Sequence, residues 1–338
     1  MSTDVLMRAP IALLPVLLFL AGLVQLDGYK LVRMRMMFLL LATGALAAGV
    51  SYLVNNLVFA HFHGSFVTYS RYVSPWIEES LKAALLVFLI RTRRVGLPVD
   101  AGIAGFAIGT GFAVVENLYY LAVRPDAMFA VAVIRGFGTA IMHGGTATIL
   151  AMISNTLYER RPSGGLHLLL PGLLAAVALH TGYNYLLVRP ALATLATLLI
   201  LPFVIYLVFD HSERILRDWI EADLGTDVQR LEAISTGTFL DSPAGRYLHA
   251  LRDRYKGEQL VDMLCYLRVH AELAVRAKGL LLLRETGMPE PPLDHETRGK
   301  LAELAQLERA IGKTGLLELR PLMMATGKEI WQLTLLRG

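Results

Sequence analysis

The chain has 338 residues, 55% of them hydrophobic, a formal net charge of +4 and a mean hydropathy of +0.51. That apolarity excludes an ordinary soluble protein, and the cations sit at the ends of apolar runs without interleaved aromatics, which excludes a nucleic-acid binder. A single cysteine, Cys265, excludes an internal disulfide framework and every cysteine-rich zinc motif, and fits a reducing compartment.

A membrane span needs roughly 20 apolar residues to cross about 30 Å of hydrocarbon. By that rule there are about seven: 10–27, 36–60, 73–90, 101–122, 127–157, 167–188 and 190–209. The first is long for a signal-peptide core and lacks a small-residue cleavage pattern. Lys30, Arg33 and Arg35 follow it rather than precede it, so it reads as a retained span with its N-terminus outside. The loops after the first, third and fifth spans carry Lys30/Arg33/Arg35, Arg91/Arg93/Arg94 and Arg160/Arg161, whereas Arg8, Arg71, Arg124 and Arg189 stand singly on the other side. The excess of cations predicts that these three loops, and the C-terminal region, are cytoplasmic.

Composition changes near residue 210. Residues 1–209 hold 14 Lys/Arg against 8 Asp/Glu, and the remainder holds 18 against 20. The expected organisation is a transmembrane domain over 1–209 and a helical cytoplasmic domain over 210–338. A juxtamembrane helix is expected over His211–Leu224, further helices over about 244–287 and 294–312, and a turn at the Pro-rich stretch Met288–Pro292. No strand alternation or repeat is present, so the fold class is all-α, a polytopic helix bundle with a helical appendage.

Within the apolar runs lie Glu78, Glu79, Lys82, Glu116, Arg135, His143, His180 and Asn184. Ionisable side chains in a bilayer cost several kcal/mol and mark functional sites. Ser74-Pro75-Trp76 starts the third span, with proline at a tolerated first position, so Glu78 and Glu79 occupy early turns. Glu78 and Lys82 are i,i+4 neighbours able to pair. Glu79 lies eight residues from Arg71, Glu116 eight from Arg124 and His180 nine from Arg189; at 1.5 Å rise per residue all three lie roughly 12 Å below one outer boundary. His143 lies about 17 residues from Asp126 and shares that depth only if the fifth helix starts outside the membrane. These residue types suit hydrolysis. A carboxylate can take a proton from water, and histidines with carboxylates can bind Zn²⁺ with an open position. Alternatively, imidazoles and an Asn amide can stabilise an oxyanion without metal.

Glu78-Glu79-x-x-Lys82, Phe112-Ala113-x-x-Glu116-Asn117, His143 and His180-x-x-x-Asn184 together resemble the PrsW intramembrane proteases. These are distantly related to the Abi/CPBP group that includes type II CAAX prenyl proteases. The resemblance covers about residues 70–190 and implies peptide-bond hydrolysis in the membrane, as in members that cleave an anti-sigma factor. The type II CAAX enzymes carry histidine where Glu116 stands, so prenylated substrates are not implied.

The expected roles are Glu79 activating water, Glu78 held by Lys82, and Zn²⁺ bound by Glu116, His143 and His180. In the metal-free alternative, His180 and Asn184 form the oxyanion site. The expected substrate is a membrane-anchored protein cut near its extracytoplasmic boundary. A proton- or cation-coupled transporter using the same Glu/His cluster is the rival from another class, but it calls for an inverted repeat that the chain lacks. A scaffold acting through its C-terminal region is the third reading. His-Glu-x-x-His, paired intramembrane aspartates and Gly-x-Ser-x-Gly are all absent, which removes other intramembrane hydrolase types.

Overall fold

The computed structural model describes residues 3–27, 29, 32, 34–92, 94–124, 128–160, 165–187, 189–292, 294–323 and 327–337. Lys30, Arg33, Arg93, Asp126 and Arg161, used above for topology and depth, lie outside the described residues. Those described form helices and connecting turns, with no strand among them. The chain separates into two compact units, Met1–Glu213 and Arg214–Gly338.

The first unit contains α1 (Thr3–Leu26), α2 (Met34–Ala60), α3 (Phe66–Tyr72), α4 (Ser74–Arg91), α5 (Pro98–Val123) and α6 (Phe129–Ile134). A π-helical turn (Arg135–Thr139) then leads into α7 (Ala140–Arg160), followed by α8 (Leu170–Leu186) and the first part of α9 (Pro190–Thr236). Six helices among the described residues are long and apolar enough to cross a membrane: α1, α2, α5, the 129–160 helix, 166–186 and α9. The seventh expected span, α4, is an 18-residue helix that misses that standard because it carries Glu78, Glu79, Lys82 and Arg91. Residues 66–72, expected as outside loop, form α3. Ser65 caps it by accepting the Thr68 N–H at 3.1 Å, and the Tyr69 hydroxyl donates to Asn55 Oδ1 at 2.8 Å.

The centre of this unit is α5 against α7. In their apolar 18-residue stretches α5 and the 129–160 helix are 83% buried, against 22% for α1 and α9. Lipid is as apolar as leucine, so helices in a bilayer associate through close packing of small residues. Gly105 and Gly109 of α5 do this here: a Cβ on either would overlap the Ala147 or His143 carbonyl oxygen of α7. Thr148 Oγ1 bridges the pair by donating to Gly102 O at 3.1 Å. At the start of α5, Asp100 accepts the backbone N–H groups of Gly96, Leu97 and Ala101 at 2.9, 2.7 and 2.9 Å, satisfying donors that a helix start leaves free.

The second unit contains the end of α9, α10 (Pro243–Ala250), α11 (Gly257–Glu285), α12 (His295–Met323) and α13 (Gly327–Arg337). Met263, Leu267, Leu273, Ala277, Leu304 and Leu319 form its core. The separate juxtamembrane helix expected from His211 is instead continuous with the preceding span, because no Gly or Pro falls between Pro202 and Gly225 to break it. The helix expected over 244–287 is interrupted at 254–256. The one expected over 294–312 continues to Met323, bending at Gly312, whose φ of 73° favours glycine.

Candidate active site

Four helices of the first unit bring the intramembrane polar residues together. From α4 come Glu78, Glu79 and Lys82; from α5, Glu116; from α7, His143 and Thr146; and from α8, His180. Glu79, Lys82, His143 and His180 are buried.

Lys82 Nζ donates to Glu79 Oε1 and to His143 Nδ1, each at 2.9 Å, and lies 4.5 Å from the centre of the Phe112 ring. The expected Glu78–Lys82 pair is therefore replaced by Glu79–Lys82. Positions i+3 and i+4 share a helix face, and His143 across the bundle draws the ammonium toward Glu79. With Lys82 donating to Nδ1, His143 carries its proton on Nε2 and donates it to Glu116 Oε2 at 2.7 Å. His180 Nδ1 donates to Glu79 Oε1 at 2.9 Å, leaving its Nε2 3.8 Å from Glu78 Oε2. The two imidazoles meet edge to face, centroids 4.9 Å apart.

Each histidine thus has a carboxylate behind it, Glu79 for His180 and Glu116 for His143, the arrangement that orients metal-ligating imidazoles. One ligand atom from each of Glu78, His143 and His180 lies within 4.8 Å of the others. A His₂Glu set is one of the donor sets of catalytic zinc sites, so these residues fit a metal ion. Lys82 Nζ holds the one ring nitrogen of His143 that Glu116 leaves free, so an ion bound to His143 would take the place of the ammonium at Nδ1. Glu79 Oε2 is buried and makes no hydrogen bond among the described residues, so a polar atom within the cluster awaits a partner.

Glu116, expected as a ligand, lies one step further out: its Oε1 is 3.1 Å from Arg135 Nη2 while its Oε2 holds His143. Asn184 is not drawn into the cluster by any contact seen; its amide donates to Ser70 O at 3.0 Å and ties α8 to α3. His143 joins despite its distance from Asp126. The 129–160 helix has 32 residues, about 48 Å at 1.5 Å per residue, long enough to extend beyond the hydrocarbon or tilt within it. Sequence reasoning missed Thr146, whose hydroxyl donates to Glu79 Oε1 at 3.2 Å. Its signal was its place three residues after His143, on the same face of an apolar helix.

No curated protein and no solved structure matches this chain. A family model described as PrsW family intramembrane metalloprotease matches residues 33–209, more than half of the sequence. With six helices among the described residues long and apolar enough to cross a membrane, the chain is a multi-pass membrane protein, and it belongs to the PrsW family of intramembrane proteases.

Proposed function

We propose that this protease is metal-dependent, that Glu78, His143 and His180 hold the ion, and that Zn²⁺ is the ion they suit. The observation that carries the reading is the convergence of these three donors inside a bundle of apolar helices. Glu78 then takes the ligand place expected of Glu116. A bound Zn²⁺ supplies a Lewis acid and an acidified water.

The chain's own groups do the rest. Glu79 Oε1, fixed by Lys82, His180 and Thr146, orients the His180 ring. Its free Oε2 takes the proton of the attacking water and delivers it to the leaving amine nitrogen. Glu116 orients His143, and the Asn184 amide positions α8. Apolar helices around the cluster limit water to the site itself.

The substrate is a membrane-anchored protein, and an anti-sigma-factor-like chain fits this reading. Cation placement supports an extracytoplasmic N-terminus and a cytoplasmic unit after 210, and with Glu79, Glu116 and His180 eight or nine residues from Arg71, Arg124 and Arg189 it favours a cut near the outer membrane boundary. In a Cys265→Ser background, Arg189→Cys should react with a membrane-impermeant thiol reagent added to intact cells. Labelling only after the membrane is opened would reverse the topology.

The metal reading is tested by elemental analysis of the purified full-length protein. The wild type should retain close to one zinc per chain, and Glu78→Gln and His180→Ala should lose most of it. A metal-free glutamate mechanism is the second reading, favoured by the contact of Lys82 with both Glu79 and His143. Full cleavage after exhaustive chelation, with no bound metal, would decide for it.

A further inference from the structure

Three carboxylates surround the two histidines, and a site with two histidine ligands needs one of them. Glu79 is neutralised by Lys82 at 2.9 Å, and Glu116 by Arg135 at 3.1 Å. Glu78 differs: the Ser74 hydroxyl donates to its Oε1 at 2.5 Å, and its ion-pair contact among the described residues is His180 at 3.8 Å. Two cations are thus spent on two carboxylates, and the third has no Lys or Arg ion pair among the described residues, which leaves its place to a divalent ion.

The placement of Arg135 is itself built. It opens the π-helical turn Arg135–Thr139, a distortion often found at functional sites. Its Nε donates to Asn117 Oδ1 at 2.9 Å, and its guanidinium lies 4.4 Å from the centre of the Tyr120 ring. The same Asn117 donates through Nδ2 to Ala12 O at 2.7 Å, fixing the amide that fixes the arginine. A planar guanidinium can serve Asn117, the aromatic face and Glu116 at once, which a lysine ammonium cannot.

We propose that Arg135 selects the ligand set: it holds Glu116 as the outer partner of His143 and so leaves Glu78 to complete the metal site. Arg135 is a positioning residue in this role, acting through Glu116. The inference rests on the metal reading above, and the test separates the two.

The full-length protein, purified in detergent and stripped of metal, is loaded with Co²⁺. Its visible absorption per bound ion reports ligand number and geometry. Glu78→Gln should alter the band, because a ligand is lost. Glu116→Gln should leave it unchanged, because the Gln amide oxygen can still accept the His143 Nε2–H and Glu116 itself is not a ligand. Arg135→Gln should alter it, as the released Glu116 swings onto the ion, and Arg135→Gln combined with Glu116→Gln should return it to the wild-type shape. An altered band in Glu116→Gln alone, or a wild-type band in Arg135→Gln, overturns the proposal and leaves metal binding standing. A wild type that binds no Co²⁺ overturns the metal reading, and this proposal with it. Should Arg135→Gln fail to fold by size-exclusion chromatography, Arg135→Lys decides in its place, since an ammonium cannot hold Asn117 and Glu116 together: an altered band is expected and a wild-type band overturns the proposal.

Discussion

Lys82 in the first unit and Lys278 in the second are both fully buried, and their surroundings differ in charge. Lys278 Nζ donates to Asp223 at 2.8 Å and Asp227 at 2.5 Å, lies 5.0 Å from the centre of the Trp219 ring, and shares Asp227 with Arg230 at 3.4 Å. Two aspartates meet two cations, and the cluster is closed. Around Lys82 the carboxylates of Glu78, Glu79 and Glu116 face the cations Lys82 and Arg135, with two imidazoles between. Glu78 is left with only the His180 ring at 3.8 Å as ion-pair contact among the described residues, and an oxygen of Glu79 is unbonded among them. A buried ionic cluster in which every carboxylate has its cation holds helices together; one that leaves a carboxylate without a cation of its own has a place for one.

The comparison breaks first at Glu79. Replacing Glu79 with Gln should lower cleavage of a membrane-anchored reporter by roughly 10²–10⁴-fold, the range for loss of a general base, while size-exclusion behaviour and helical content stay as in the wild type. Turnover within tenfold of the wild type would remove Glu79 from the chemistry.

Lys278→Met should act on folding instead. Leaving Asp223 and Asp227 without their partner should cost about 3–5 kcal/mol, read as a lower midpoint in denaturant followed by tryptophan fluorescence. Adding Asp223→Asn and Asp227→Asn should recover most of the loss, because replacing a whole buried ionic group is far milder than breaking it. No recovery would mean that the cluster is not closed in the sense argued.

His270, beside the Lys278 cluster, sharpens the contrast through pH. Burial, then the charges of Arg230 and Lys278, lower its pKa to about 4, from about 6.5 when unfolded. A folded pKa below the unfolded one means that the unfolded chain binds the proton first. The second unit should therefore lose stability as pH falls from about 6.5 toward 4, by up to about 3 kcal/mol, and be unaffected by this residue above that window. His270→Leu should flatten the slope; an unchanged slope would assign it elsewhere.

The smallest effect is expected at Asn184. Removing its bond to Ser70 O with Asn184→Ala should cost about 1 kcal/mol of stability and less than tenfold in cleavage. A loss of about 10²–10³-fold is what removing an oxyanion donor costs, and it would restore the role that the sequence suggested.

The spans and the charged cluster members were legible because charged residues stand out in apolar runs, and Glu79, Glu116 and His180 agree in expected depth, whereas His143 did not and the uncharged Thr146 gave no such signal. Partner choice was not. Whether Lys82 turns to Glu78 or Glu79 depends on His143, 61 positions away, and no local spacing encodes that. The same holds for Glu116, whose neutralisation by Arg135 depends on Asn117 and the π-helical turn. The continuity of α9 was missed for the opposite reason: polarity changes at Asp210, but a helix does not end where polarity changes unless its backbone is given cause.

The glycines that let α5 lie against the backbone of α7 have a further consequence. Bilayers differ in thickness, and helices meet a mismatch by tilting or sliding. Gly105 and Gly109 seat α5 against the carbonyls of Ala147 and His143, so any axial slip would drive backbone into backbone. Glu116 and His143 should therefore travel as one piece when the surrounding lipid thins or thickens, with the adjustment falling on the outer helices. Cleavage in vesicles of shorter and longer acyl chains should vary through substrate entry, while the pairing that orients His143 stays constant.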